Sequence, residues 1–216
     1  MSTSSPLLVV GLGNPGRQYA STRHNVGWMV LDELASAYSA ESFRKKFSGE
    51  YAKAIVEGRT AYLLRPETYM NESGRSVQPA AAFFDVEPSN VIALHDELDL
   101  PFGEVRVKVG GGHAGHNGLR SIIRHLGTPD FVRVRIGIGR PPAGFRGEVA
   151  DYVLSSFDTS ERAELPDLVK KAATAVQKIA ALGLHRAMNE VNTRPKGDKV
   201  RAPSATSRGS GGEDGA

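Results

Sequence analysis

The feature that most restricts the fold is an apolar run that ends in a glycine-rich turn near the start of the chain. Residues 7–10 read Leu-Leu-Val-Val, and residues 11–16 read Gly-Leu-Gly-Asn-Pro-Gly. Four consecutive apolar residues before a glycine turn indicate a strand that is buried on both faces. Such strands are typical of α/β sheets that carry helices on both sides.

The turn also spells GxGxxG, the fingerprint of dinucleotide-binding sites. In those sites the third glycine lies in the first turn of a helix that binds the pyrophosphate. Here Pro15 disfavours the helical conformation at Asn14, and the apolar periodicity of a helix begins only at Val26. We therefore expect no nucleotide cofactor. Two alternatives remain: a turn that only joins strand to helix, or a turn that builds a hydrolytic site with His24.

Strand and helix signals alternate along the rest of the chain. The dipeptide Glu57-Gly58 separates two strand signals and predicts a hairpin. We predict an α/β fold, a single domain with a mixed, mostly parallel twisted sheet flanked by helices. Beyond the helix at Val26, strands are predicted at residues 51–56, 61–64, 91–94, 104–109 and 131–138, and helices at 73–84, 119–126 and 165–184.

Composition separates a folded domain from a basic tail. Residues 194–216 lose the apolar periodicity and hold five basic and three acidic residues, so they supply +2 of the net charge of +3. We predict a folded domain over residues 1–193 and a disordered tail over 194–216. The tail is either an inert extension or a weak RNA-binding arm. A nearly neutral domain argues against a broad cationic surface but not against a local basic patch.

Membrane and export signals are not evident, because no apolar run is long enough to span a bilayer and the N-terminus carries no basic segment. The chain has no cysteine, which excludes disulfides, thiolate catalysis and cysteine-ligated zinc. These features fit a cytoplasmic protein.

Chemically capable side chains are concentrated in four segments that follow predicted strands, namely residues 11–25, 66–74, 95–101 and 110–118. In open α/β sheets, sites form beyond the carboxyl ends of the strands. We therefore expect these segments to converge.

Metal binding is one alternative for these segments. Asp96, Glu97 and Asp99 offer oxygen ligands for magnesium, but in an extended segment Asp96 and Glu97 point to opposite sides. His113 and His116 could bind zinc, yet no third ligand is apparent. The glycine run before His113 lacks the GK(S/T) ending of a P-loop. We expect no metal and no cofactor.

Hydrolysis by a general base is the other alternative. The chain has neither a GxSxG elbow nor a cysteine, so a covalent nucleophile has no clear candidate. A histidine can instead take a proton from water, while an aspartate holds its tautomer and stabilises the imidazolium. Amide N–H groups of asparagines can stabilise the oxyanion. Activated esters suit so sparse a site better than amides do.

Five motifs in order resemble the bacterial-type peptidyl-tRNA hydrolase family over about residues 6–192. They are Gly11–Gly16 with Tyr19, Arg23–Gly27, Tyr69–Gly74, His95–Asp99 and Gly110–Leu119. The resemblance implies an enzyme that needs no metal and cleaves the ester between a peptide and the 3′ end of tRNA, so that tRNA from aborted translation is recycled. It also implies a monomer that binds the acceptor stem and 3′ end of peptidyl-tRNA.

The resemblance also implies roles for individual side chains. His24 matches the catalytic base, and Asp96 matches the acid that orients it. Asn14 and Asn71 match residues that bind the peptide and help to place the water and the carbonyl, which makes Asn14 a catalytic candidate. Asn117 matches an asparagine next to the oxyanion and the terminal adenosine.

Four further positions are matched to substrate binding. Tyr19 matches a residue that lines the substrate channel, and Tyr69 stands where the family often has phenylalanine. Lys108 and Arg135 occupy the positions of a basic pair that clamps the tRNA 5′-phosphate. Ala114 replaces a more usual glycine, which removes no catalytic group. A non-catalytic RNA-binding relative remains the rival, although the retention of the base, the acid and the asparagines argues against lost activity.

Overall fold

A seven-stranded sheet forms the centre of the molecule in the computed structural model, which describes residues 5–193. The predicted tail at 194–216 lies outside the described residues. The strands are β1 (Leu7–Gly11), β2 (Arg44–Lys46), β3 (Gly49–Val56), β4 (Arg59–Pro66), β5 (Val91–Glu97), β6 (Val105–Val109) and β7 (Val132–Gly137). The helices are α1 (Val26–Ala37), α2 (Gly74–Phe83), α3 (Asn117–Leu126), α4 (Val149–Val153), α5 (Thr159–Leu182) and α6 (Leu184–Asn192). None of these helices is both long enough and apolar enough to cross a membrane.

The strand order is β2-β3-β4-β1-β5-β7-β6. The four central strands, β4, β1, β5 and β7, run parallel to one another, and the outer strands pair antiparallel. The predicted α/β class with a mixed sheet is therefore confirmed, and the parallel pairing is confined to the centre.

Strand β1 is buried on both faces, as its continuous apolar run predicts. Leu7 and Val9 belong to one hydrophobic core together with α1 and α5. Leu8 and Val10 belong to a second core on the opposite face, together with α2 and α3. Because neighbouring strand residues alternate between faces, one short strand contributes to both cores.

The close packing of α1 against the sheet determines where the preceding residues lie. Gly27, the second residue of α1, approaches the sheet so closely that a Cβ atom there would lie 2.3 Å from the carbonyl oxygen of Leu94 and 2.6 Å from the main-chain nitrogen of Leu12. Only glycine permits this approach. The residues just before α1 are therefore held against the carboxyl ends of β1 and β5.

Several elements differ from the sequence-based expectation. Strand β5 continues through residues 95–97, which were expected to form a loop because they are polar. The helix expected at 165–184 begins at Thr159, after the reciprocal hydrogen bonds between Asp158 and Glu161 that cap it. Strand β2 was not predicted, since its three exposed basic residues show no alternation, and the short α4 and the separate α6 were not predicted either.

Candidate active site

A cleft of about 880 Å³ lies where the carboxyl ends of β1 and β5 meet the segments that follow β4 and β6. All nine site residues predicted from the sequence line it: Asn14, Tyr19, His24, Tyr69, Asn71, Asp96, Lys108, Asn117 and Arg135. The expected convergence of the four polar segments is therefore observed.

His24 and Asp96 form a hydrogen-bonded pair at the base of this cleft. The Nδ1 atom of His24 lies 2.8 Å from Oδ1 of Asp96, and both side chains are almost fully buried. Burial would raise the pKa of Asp96, but the charges and hydrogen bonds of His24 and His116 lower it far below its usual range. Because an ionised carboxylate only accepts hydrogen bonds, His24 carries a proton on Nδ1. In the neutral ring, Nε2 then keeps its lone pair.

Two opposing effects determine the pKa of the His24 imidazole. Burial lowers this pKa, whereas the negative charge of Asp96 and its hydrogen bond raise it, and the net pKa lies above the ordinary value of 6.5. The pair thus favours proton uptake by a ring whose free nitrogen faces the cleft. This is the property that a general base for water requires.

His116 is a second histidine on Asp96 that the sequence analysis considered only as a zinc ligand. Its Nε2 lies 3.1 Å from the same Oδ1 atom of Asp96. Its Nδ1 accepts hydrogen bonds from the main-chain N–H groups of Gly118 and Leu119, at 3.1 and 3.3 Å, in the first turn of α3. Since Nδ1 is an acceptor, the proton of His116 lies on Nε2 and is donated to Asp96. Histidine is not among the residues that commonly cap helices, and the helix was predicted to begin only at residue 119, so the residue type alone did not indicate this contact.

His24, Asp96 and His116 are also the group of side chains that could hold a metal ion within the described part of the chain, since their ligand atoms lie within 4.8 Å of one another. The donor set does not fit this role. The nitrogen that each histidine turns towards Asp96 carries a proton, and the other nitrogen of His116 is occupied by the start of α3. Glu97 and Asp99 do not join the group, because they bind arginines instead.

Asn14 is held by two neighbours that fix its orientation. Its main-chain N–H donates to Oδ1 of Asn25, and Nδ2 of Asn25 donates back to the Asn14 carbonyl, both at 2.9 Å. The main-chain N–H of Met70 donates to the side-chain Oδ1 of Asn14 at 2.8 Å. Because this oxygen is occupied, the side-chain NH₂ group of Asn14 remains as the donor in the cleft. Asn25 was not singled out from the sequence, although it adjoins His24.

Arg23 ties the segment that carries His24 to the segment that follows α4. Its buried guanidinium donates to the hydroxyl of Ser155 at 2.7 Å and to the carbonyl of Ser156 at 2.6 Å, and it pairs with Glu161 at 2.5 Å. Helix α4 forms one wall of the cleft. Arg23 therefore joins this wall to the His24 segment.

The remaining asparagines and tyrosines lie at the rim of the cleft. Tyr69 is 63% exposed, Asn71 and Asn117 are also exposed, and Tyr19 is partly buried. Asn117 is the first residue of α3, directly after His116. These side chains are accessible to a substrate that enters the cleft.

A basic face lies beside the cleft on strands β6 and β7. The register pairs Lys108 with Arg133 and Arg106 with Arg135, so all four side chains lie on one face of the sheet. Arg135 donates from Nε to Glu97 at 2.8 Å, which offsets part of its charge. Lys108 is exposed, and no acidic side chain within residues 5–193 forms an ion pair with it.

Arg133 supports the glycine run that leads to His116, although the sequence analysis did not identify it. Its buried guanidinium donates to the carbonyls of Gly111 and Gly112, both at 2.6 Å. The ammonium group of Lys108 lies against Gly111, where a Cβ atom would be 2.8 Å from Nζ. The glycine run and the basic face therefore form one surface.

The chemistry of the cleft is that of a site that activates water. None of the described residues that line it is a serine, threonine or cysteine, so a covalent nucleophile of these types is not at hand. The turn at Gly11–Gly16 does not open a nucleotide-binding helix, because a short 3₁₀ turn follows it and α1 begins only at Val26. The fold and the cleft thus define a class, enzymes of α/β fold that have a histidine available as general base for hydrolysis.

Comparison with known proteins identifies the family. The family model described as peptidyl-tRNA hydrolase matches residues 8–199. A peptidyl-tRNA hydrolase of Sorangium cellulosum is 68% identical over 193 residues, which cover 89% of this chain and 86% of that relative. One of Mycobacterium tuberculosis (strain H37Rv) is 51% identical over 190 residues, covering 88% of this chain and 98% of that relative.

A solved structure agrees with these sequence matches. The crystal structure of peptidyl-tRNA hydrolase from Acinetobacter baumannii superposes with a TM-score of 0.80 at 40% identity, covering 89% of this chain and 97% of that chain. The chain belongs to the peptidyl-tRNA hydrolase family, whose activity is the hydrolysis of peptidyl-tRNA. The family, the fold class and the hydrolase activity predicted from the sequence are confirmed.

Proposed function

We propose that this chain hydrolyses the ester between a peptide and the 3′ end of tRNA with His24 as general base, and that it thereby recycles tRNA from aborted translation. Nε2 of His24 accepts a proton from the attacking water, and the charge of Asp96 stabilises the imidazolium that forms. The observation that carries this proposal is the buried 2.8 Å bond from His24 Nδ1 to Asp96, which leaves Nε2 free in the cleft. A positioned base contributes roughly 10²–10⁴-fold to the rate.

Asn14 supplies the electrostatic part of the proposed mechanism. Its oriented NH₂ group donates to the peptide or to the negative charge that develops on the ester oxygen, a contribution of about 10²–10³-fold for one such donor. The bonds from Asn25 and Met70 support this role, because they fix the donor before the substrate arrives. Tyr19, Tyr69, Asn71 and Asn117 bind the peptide and the 3′ end of the tRNA around the rim.

Lys108 and Arg135 bind the 5′-phosphate of the tRNA acceptor stem in this proposal. Contacts to phosphate position a nucleic acid without reading its sequence, which suits an enzyme that serves many tRNAs. Glu97 offsets part of the charge of Arg135, so Lys108 supplies most of the attraction. Residues 1–193 form the catalytic domain, which acts as a cytoplasmic monomer without a metal or a cofactor.

The test is the cleavage of N-acetyl-aminoacyl-tRNA without added metal by the wild-type chain and by His24→Ala. We expect release of free tRNA by the wild-type chain and a loss of about 10²–10⁴-fold in kcat for the variant, since the base is removed. His185→Ala is the matched control, because His185 is an exposed histidine on α6 that does not line the cleft. Unchanged turnover by His24→Ala would refute the mechanism. Binding without turnover by the wild-type chain would favour the non-catalytic RNA-binding rival.

A further inference from the structure

Asn192, in the last turn of α6, occupies the outer edge of strand β6. The main-chain N–H of Val107 donates to Oδ1 of Asn192, and Nδ2 of Asn192 donates to the carbonyl of Val107, both at 2.8 Å. Strand β6 is last in the strand order, so within residues 5–193 this side of it faces no further strand. One carboxamide thus satisfies both main-chain groups that a neighbouring strand would satisfy.

A second contact fixes the residue before Val107. The guanidinium of Arg106 donates to the main-chain carbonyl of Asn192 and also pairs with Glu104 at 3.1 Å. Arg106 and Val107 are therefore both anchored to the end of α6. The next residue is Lys108, whose exposed ammonium group has no acidic partner within residues 5–193.

We propose that Asn192 is a positioning residue for tRNA binding, which acts by holding the outer edge of β6 so that Lys108 faces the phosphate. The inference rests on the proposed function, because it requires Lys108 to bind phosphate. Unpaired edge strands have few restraints and open at low cost. Lysine is a flexible point charge, so the place of its ammonium group depends on the strand that carries it. Asn192 is only partly buried. In a variant that lacks its side chain, water can therefore bind the main-chain N–H and carbonyl of Val107.

The experiment compares two substrates with Asn192→Ala, namely N-acetyl-aminoacyl-tRNA and a short N-acetyl-aminoacyl oligonucleotide that lacks the acceptor-stem duplex. We expect KM for the tRNA to rise about fivefold, the factor that one ordinary hydrogen bond contributes, with kcat unchanged. Both parameters for the short substrate should stay at wild-type values. Asn189→Ala is the matched control, since Asn189 is an exposed asparagine one turn earlier in the same helix, and it should leave both substrates unaffected.

The salt dependence of KM provides a readout that a merely structural role would not change. Loss of one phosphate contact lowers the slope of log KM against log salt concentration by about 1. Lys108→Ala should show this full decrease and Asn192→Ala part of it. In the Lys108→Ala background, Asn192→Ala should add nothing, because the lysine through which it acts is already absent.

Three results would overturn the inference. They are equal losses on both substrates in Asn192→Ala, a tRNA KM equal to that of Asn189→Ala, and an unchanged hydrogen-exchange rate of the Val107 amide. Asn192→Asp tests the same point if the alanine variant folds poorly, because it keeps the acceptor for the Val107 N–H and loses the donor to the Val107 carbonyl. A tRNA KM of this variant equal to wild type would count against the inference.

Failure of the phosphate clamp itself gives a different pattern. If Lys108→Ala changes neither KM nor the salt slope, the proposed phosphate clamp and the proposed role of Asn192 are both wrong. The result for His24→Ala still decides the hydrolytic mechanism. If Lys108→Ala has its effect and Asn192→Ala has none, only the inference about Asn192 falls.

Discussion

Replacement of Asp96 by asparagine would separate the charge of this side chain from its geometry. The hydrogen bonds from His24 and His116 both end on Oδ1 of Asp96, and the Oδ1 atom of an asparagine can accept both. Asp96→Asn therefore keeps the two rings in place and removes the negative charge that faces the imidazolium in the transition state.

The expected decrease in kcat/KM of Asp96→Asn follows from the change in the hydrogen bond between His24 and residue 96. A hydrogen bond to a charged group contributes about 1.5–3 kcal/mol, against about 0.5–1.5 kcal/mol for a neutral pair. The difference of about 1–2 kcal/mol corresponds to a decrease of about 5- to 30-fold in kcat/KM. This loss is smaller than the roughly 10²–10⁴-fold loss expected when His24 itself is removed, since the amide still places the ring.

The pH profile should move in a direction that a structural defect would not produce. A general base acts in its neutral form, so the wild-type activity falls as pH drops through the raised pKa of His24, above 6.5. In Asp96→Asn the burial that lowers this pKa remains, while the charge that raises it is gone. The acidic limb of the kcat/KM profile should therefore move to lower pH, even though the plateau value of kcat/KM is lower than in the wild-type chain.

The measurement is kcat/KM for N-acetyl-aminoacyl-tRNA from about pH 5 to 8, which reports the free enzyme. An acidic limb that stays in place or moves to higher pH would refute the electrostatic account. A loss as large as that of His24→Ala would mean that the roles of the two residues are misassigned.

Two further predictions concern stability. Burial, as the largest cause, lowers the pKa of His95 to about 3. Above pH 6.5 this histidine is neutral in both the folded and the unfolded chain. Between about pH 6.5 and pH 3 only the unfolded chain takes up the proton. The free energy of unfolding therefore decreases as pH falls, by roughly 2 kcal/mol at pH 5. His95→Asn keeps a donor for the Asp96 carbonyl and should remove this part of the decrease in the free energy of unfolding. Urea unfolding at pH 7.5 and 5 measures the effect. An unchanged pH dependence would contradict the assignment of this decrease to His95. Gly27→Ala should cost about 3 kcal/mol or more, because its Cβ would meet the Leu94 carbonyl oxygen at 2.3 Å; urea unfolding within about 0.5 kcal/mol of wild type would show that α1 can shift freely.

Local patterns predicted the elements whose apolar residues form one run or one face. Helix α1 begins at Val26, where its periodicity begins, and the predicted hairpin is observed as β3 and β4. Strand β5 was predicted too short, because residues 95–97 are polar although buried. Their burial depends on partners from distant parts of the chain, which a local pattern does not contain.

The same limit applies to the site. The motifs indicated His24 and Asp96, but the position of His116 on the same carboxylate oxygen depends on the path of the glycine run. Arg133 and Asn192 were not identified, since their partners are main-chain carbonyls and amides. Any side chain of suitable length could reach such groups, so residue type alone does not indicate the contact.

The contact of His116 with the first turn of α3 links one helical turn to the carboxylate oxygen that His24 also contacts. Helix ends fray far more readily than the whole protein unfolds. When this turn opens, Nδ1 of His116 loses the two amide donors that hold its proton on the side of Asp96. The local opening free energy of this turn, which is smaller than the free energy of global unfolding, therefore determines how persistently His116 donates to Asp96.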